Sequence, residues 1–199
     1  MQIDGGVMST VALPQSRRWL MGLYFFLASL AVLFLSAVLA VFLVRSSDLR
    51  TDPPLPIVLP VSLWASVPLL VVISAAQEWG LSAVKRERQA AFCQALVVAW
   101  LGVALFLVSQ ATGLSELLAR HNVAPSRDPR SYGLVYALVA LHAVHVVGGI
   151  PPLAIVTWKG LRGRYDHECH TGVQACGIYW HFLGIVWLLL LGSFALMGG

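Results

Sequence analysis

The sequence predicts an all-α fold: a polytopic membrane protein of five transmembrane helices, forming a single membrane domain over residues 1–199. Two observations carry that prediction. Only 11% of the residues are charged and 58% are hydrophobic, with a mean hydropathy of +0.79, whereas a soluble domain carries roughly 25% charged residues. Five stretches, about 20–44, 57–77, 89–112, 131–158 and 173–197, each approach or exceed the roughly 20 apolar residues that cross a bilayer as a helix. They take up most of the chain and leave no room for a soluble domain.

The first stretch follows Arg17 and Arg18, as a secretory signal would. Its apolar run exceeds the roughly 7–15 residues of a signal core, so a retained helix is expected. Gly22, Ser29, Ser36 and Ala40 mark a small-residue face suited to close helix contact. The link from Arg45 to Pro56 holds Pro53, Pro54 and Pro56 and cannot be helical. The second stretch carries Pro68 and ends at Gln77-Glu78-Trp79, with Trp79 suited to the membrane interface. Lys85-Arg86-Glu87-Arg88 makes a charged turn. The third stretch presents Ala91, Ala95, Ala99, Gly102, Phe106, Ser109 and Gly113 as a second packing face, and places Gln110 where it needs a hydrogen-bond partner. The loop from Glu116 to Arg130 is the longest connection.

Basic residues set the orientation. One side holds Arg17, Arg18, Lys85, Arg86, Arg88, Lys159, Arg162 and Arg164, eight in all; the other holds Arg45, Arg50, Arg120, Arg127 and Arg130, five. The excess predicts a cytoplasmic N-terminus and an outside C-terminus. The net charge of +4 lies in these loops and predicts no nucleic-acid partner. Cys93 and Cys176 fall in or beside spans and Cys169 on the cytoplasmic side, so no disulfide framework is expected. Walker, dinucleotide-binding and nucleophile-elbow motifs are all missing.

Chemistry concentrates in the last two spans. His142 and His145 share one face of the fourth, with Gly148, Gly149, Pro151 and Pro152 following. The prolines cannot donate to the carbonyls of Val147 and Gly148, so a bend is expected beside the histidines. In the fifth span Gly177, His181, Gly184 and Leu188 form a line with a glycine on either side of the histidine. The short connection makes the two spans antiparallel neighbours, and His181 is expected to pack toward the face of His142 and His145. An imidazole in hydrocarbon must find a partner. These histidines are read as hydrogen-bonding residues that hold the two spans together; haem or metal ligation and a lipid or subunit contact are the other readings. His167, Cys169 and His170 match a zinc site weakly by spacing. Lys159, Arg162, Arg164 and His170 are better read as facing lipid headgroups. No span carries a carboxylate near its centre, which argues against a pump or an ion-coupled transporter.

Leu141-His142-Ala143-Val144-His145-Val146-Val147-Gly148-Gly149, followed by Gly177-Ile178-Tyr179-Trp180-His181-Phe182-Leu183-Gly184-Ile185-Val186-Trp187, resembles subunit III of the haem–copper oxidases in its short five-helix form. That family pairs a Gly-(Phe/Leu)-His-x-x-His-Val-x-x-Gly pattern with Tyr-Trp-His-Phe-x-Asp-x-x-Trp. Tyr179, Trp180, Phe182 and Trp187 are then the motif aromatics, and Gly102, Phe106 and Gln110 extend the likeness into the third span. Four family carboxylates are replaced, by Leu30, Gly113, Gln174 and Gly184.

The resemblance implies an accessory subunit with no redox centre of its own. It would lie in a bacterial cytoplasmic membrane against the catalytic haem- and copper-bearing subunit and other oxidase subunits. It would hold structural phospholipid and support aerobic electron transport from cytochrome c or quinol. The lost carboxylates keep a second expectation open, a subunit III-like assembly or activation protein of nitric oxide reductase. An independent haem- or metal-binding membrane protein is the third.

Overall fold

Each apolar run becomes a helix because hydrocarbon cannot satisfy a backbone amide, so every spanning segment must bond to itself. In the computed structural model, residues 15–48, 59–123, 129–163, 165 and 170–198 are described. They form α1 (Gln15–Asp48), α2 (Val61–Lys85), α3 (Gln89–Val123), α4 (Pro129–Gly148), α5 (Ile150–Leu161) and α6 (Thr171–Gly198). Five helices, with α4 and α5 acting as one span, are long and apolar enough to cross a membrane. The chain is thus an all-helical, multi-pass membrane protein.

Proline and the left-handed backbone set several boundaries. Pro60 is the N-cap of α2 with an extended φ of −57° and ψ of 141°. At the other end Arg88 N–H donates to the Ala83 carbonyl (2.9 Å) and Glu87 N–H to that of Val84 (3.0 Å). This six-to-one and five-to-two pattern needs a left-handed residue, here Glu87 with φ 54°. Pro151 and Pro152 fall in the first turn of α5, where a missing N–H costs nothing. The fourth span therefore breaks at Gly149, immediately after the histidines.

Two boundaries differ from expectation. The second span was expected over 57–77 but the helix runs Val61–Lys85. Gly80, Ala83 and Val84 remain buried, and Gly80 packs on Ala95 and Phe92 of α3. Glu78 consequently stands inside a helix and not in a loop. The third helix continues past 112 to Val123 because Gly113 and Leu117 still pack inward.

α2 and α3 form the most extensive pairing. Small residues allow it: a Cβ on Gly102 would stand 2.7 Å from Ile73 Cγ1, and one on Gly113 would overlap Leu63. Ser109 Oγ donates to the Ser62 carbonyl at 2.5 Å. α3 is fastened to α5 by Gln89 Nε2 donating to the Gly160 carbonyl (2.6 Å) and by Trp100 Nε1 donating to Thr157 Oγ1 (3.0 Å). α6 is the most buried span and touches α1, α2, α4 and α5. α1 is the least buried and packs on α4 and α6, without meeting α2 or α3.

The small-residue face expected on α1 is not its packing face. Gly22, Ser29, Ser36 and Ala40 point outward, while Leu27, Leu30, Phe34 and Val41 are buried. Ser29 and Ser36 donate back to the carbonyls of Phe25 (3.0 Å) and Leu33 (2.9 Å). Their hydroxyls are thereby satisfied within their own helix.

Gly102→Leu is expected to overpack the α2–α3 seam and lower stability by about 1–3 kcal/mol. Gly22→Leu, with open space around it, serves as the control and should leave the transition unchanged. Thermal unfolding of both variants in one detergent checks this.

Candidate functional site

The polar residues of the last two spans enter the core through aromatic neighbours. Trp187 is fully buried, and its Nε1–H donates to Ser66 Oγ of α2 at 2.7 Å. Ser66 in turn donates to the Leu63 carbonyl at 2.6 Å. The imidazole of His142, also fully buried, stacks on the Trp187 ring with centroids 4.8 Å apart and planes 23° from parallel. Phe34 of α1 and Phe106 of α3 meet His142 edge-on at 6.2 and 6.3 Å. His142 therefore joins the fourth span to the fifth by ring stacking, where a hydrogen bond was expected. Neither of its ring nitrogens has a hydrogen-bond partner among the described residues.

The hydrogen bond between these spans comes from elsewhere. Tyr179 Oη donates to the carbonyl of His145 at 2.8 Å. The glycine pair makes the approach possible, since a Cβ on Gly149 would lie 2.9 Å from Tyr179 Cε1 and 3.1 Å from Trp180 Cζ2. On Gly148 a Cβ would reach Tyr179 Oη at 3.6 Å. The ring of His145 turns back on its own helix. Its Nδ1 lies 2.7 Å from the Leu141 carbonyl, and a carbonyl only accepts, so Nδ1 carries the proton. Phe34 covers that ring at 5.3 Å. Trp180 is buried, and Phe182 packs against the core from its margin.

His181 does not join His142 and His145. It faces α2, where its Nε2 lies 3.0 Å from Glu78 Oε1. The rotation of α6 that puts Trp187 inward turns the line Gly177, His181, Gly184 toward α2. Cβ atoms on Gly177 and Gly184 would stand 3.8 Å from Gln77 Cβ and 4.0 Å from Leu70 Cδ2. Between α2 and α6 opens an apolar groove of about 390 Å³, with Val67, Ser74, His181, Gly184 and Leu188 on its walls. Glu78 adjoins it through His181, with its side chain 66% exposed.

Gln110 is 3% exposed, and both atoms of its amide lack a partner among the described residues. Gly102 sits in the α2–α3 seam described above. At the end of α5, Arg162 lies over the Trp158 ring, 4.1 Å from its centroid, and Lys159 is half-buried in the preceding turn. His170 is half-buried just before α6. Arg164, His167 and Cys169 lie outside the described residues. No three potential metal ligands come together among the described residues.

Three contacts escaped the sequence reading. Glu78 was placed at a span's end, and nothing local announces a partner 103 positions away. Ser66 is one of four serines on α2, with Ser62, Ser74 and Ser82, and nothing in the sequence marks which of them faces inward. Trp100 and Thr157 lie in different spans, and only the fold aligns them.

A family model described as cytochrome c oxidase subunit III matches residues 8–198. The chain is 39% identical to cytochrome c oxidase subunit 3 of Thermostichus vulcanus over 56 residues, 28% of each chain. It is 30% identical to that of Glycine max over 136 residues, 67% of this chain and 49% of the relative. Cytochrome bo(3) ubiquinol oxidase subunit 3 of Pseudomonas putida is 25% identical over 105 residues, 51% of each. The chain thus matches from about a quarter to about half the length of these relatives.

Tyr179→Phe is expected to cost about 0.6 kcal/mol, the mean for an interhelical bond in lipid. Trp187→Ala removes the stack on His142 and the bond to Ser66 and should cost about 3–5 kcal/mol. Denaturant unfolding in mixed micelles ranks the two.

Proposed function

The chain belongs to the cytochrome c oxidase subunit III family, and on that premise we propose that it is an accessory subunit of a haem–copper terminal oxidase, itself without a redox centre. The observation that carries the reading is where its polar side chains go. Within the spans, Tyr179, Trp187, Trp100 and Ser109 each bond across to a neighbouring helix, so their chemistry serves packing. Haem and copper belong to the partner catalytic subunit, which takes electrons from cytochrome c or quinol and passes them to oxygen. This chain packs beside that subunit as one membrane domain and keeps the complex active.

The N-terminus is cytoplasmic and the C-terminus outside, as the eight-to-five distribution of Lys and Arg supports. The membrane is then the bacterial cytoplasmic membrane. On its cytoplasmic side Lys159, Arg162, Arg164 and His170 meet the headgroup of a bound phospholipid. The position of Arg162 over Trp158 supports this, because a tryptophan at that depth anchors the helix end in the interface. His142, His145, His181 and Gln110 act as structural polar residues, Gly102 and Gly149 as points of close helix approach, and Gly148, Gly177 and Gly184 as small packing residues in ordinary contact with their neighbours.

A second reading, an assembly or activation protein of nitric oxide reductase, is favoured by one observation: carboxylates of the resembled motifs are replaced at Leu30, Gly113, Gln174 and Gly184. The accessory-subunit reading predicts that the tagged chain, extracted in mild detergent, brings down a larger membrane subunit with a haem spectrum. It predicts that deleting the gene lowers oxygen uptake and spares nitric oxide reduction. A stable chain isolated without a haem-bearing partner, or loss of nitric oxide reduction alone, overturns it.

A further inference from the structure

The groove between α2 and α6 has a polar mouth and an apolar floor. His181 lies at one end, bonded to Glu78, and Val67 and Leu188 lie at the other. Val71, Ile185 and Leu188 on its walls are each more than half exposed, so it opens on the outside of the bundle. His181 and Leu188 are seven residues apart on α6, about 10 Å along the helix axis. The volume of about 390 Å³ over that length gives a mean cross-section of about 40 Å², whereas a helix with its side chains needs about 80 Å² or more. A transmembrane helix is too wide for this slot. A single hydrocarbon chain fits it.

The mouth lies where hydrocarbon gives way to headgroups. Glu78 is seven residues from Lys85 at the end of α2, about 10 Å along the axis. Next to it Trp79 is exposed, as tryptophans in the membrane interface are. At that level the Glu78 side chain is itself 66% exposed. A carboxylate offers about four acceptor positions; His181 takes one, and no other described residue bonds to this carboxylate. Acyl chains are as apolar as the groove walls, so the groove by itself prefers no lipid over another. Any preference arises at the mouth. A primary ammonium donates three N–H groups and carries the charge opposite to that of Glu78. A trimethylammonium has the charge but no donor, and a glycerol headgroup has donors but leaves the phosphate charge to repel the carboxylate.

We propose that the α2–α6 groove is a site for a phospholipid with a primary-amine headgroup: one acyl chain lies along Gly184 and Leu188, and the ammonium bonds to Glu78. His181 holds the carboxylate at the mouth, and Gly184 leaves the slot open. The site is separate from the basic end of α5, where the proposed contact is with a phosphate that every phospholipid carries. It uses only this chain's residues and stands apart from the oxidase reading.

The test is native mass spectrometry of the full chain released from nanodiscs that hold phosphatidylethanolamine, phosphatidylcholine and phosphatidylglycerol in equal amounts. Phosphatidylethanolamine is expected to stay bound several-fold more often than either of the others. Glu78→Gln is expected to abolish that preference. Gly184→Leu, whose side chain fills the slot, is expected to lower phosphatidylethanolamine retention several-fold. Equal retention of the three lipids by the unsubstituted chain overturns the proposal, as does a preference that either substitution leaves unchanged. A mass of two chains that Gly184→Leu splits overturns it in favour of a second copy of the chain. If Gly184→Leu does not insert stably, Glu78→Gln, made on an exposed side chain, decides alone.

Discussion

All five spans meet at one joint, the stack of His142 on Trp187. α4 supplies the imidazole and α6 the indole; Ser66 Oγ of α2 accepts a hydrogen bond from the indole N–H; Phe34 of α1 and Phe106 of α3 close the sides. A lipid bilayer offers no hydrophobic driving force between helices, because acyl chains are as apolar as leucine. What remains is close packing and the need of polar groups for partners. Planar rings answer the first with large contact areas and fixed geometry, and the indole N–H answers the second. Gly149, which lets Tyr179 and Trp180 approach, and Gly102, which lets α2 approach α3, supply the close packing around it.

The architecture was legible where composition alone decides it. Run length fixed the number of spans, and Pro151-Pro152 located the break at Gly149. What could not be read was the rotation of each helix about its axis. Small residues on α1 looked like a contact face by spacing, yet they point outward and Leu27, Leu30 and Phe34 point in. Spacing records which residues share a face; it is silent on what that face meets. The same ambiguity misplaced His181. It shares its face with Gly177 and Gly184, as the periodicity says, but the face belongs to α2. For the fourth span the error was one of interaction type. A buried imidazole was expected to bond across the interface, and it stacks there while Tyr179 makes the bond.

The carboxylates missing from the resembled motifs acquire a spatial meaning. Gly113 leaves no room for an acidic side chain, since Leu63 occupies the place of its Cβ. Leu30 is buried at 8% exposure among apolar neighbours. Gly184 is different: it opens into the groove between α2 and α6, where a side chain would fit. Beside that groove the chain carries Glu78 instead, on the facing helix and in contact with His181. An acidic group therefore stands at this seam on α2, and its histidine partner holds the motif position on α6. A reading confined to the motif counts a loss, where the fold shows a carboxylate approaching from the other wall.

The way α1 is seated bears on how such a bundle is made. It rests on α4 and α6 and on neither of the helices that follow it directly. During synthesis α2 and α3 can close on each other across their tight turn as soon as both have entered the bilayer. α1, released earlier, has no surface of its own chain to settle on until α4 and then α6 follow. Its serines bond to their own helix and so need no partner from another span before that. The seating of the first helix within this chain thus depends on the spans furthest from it in sequence.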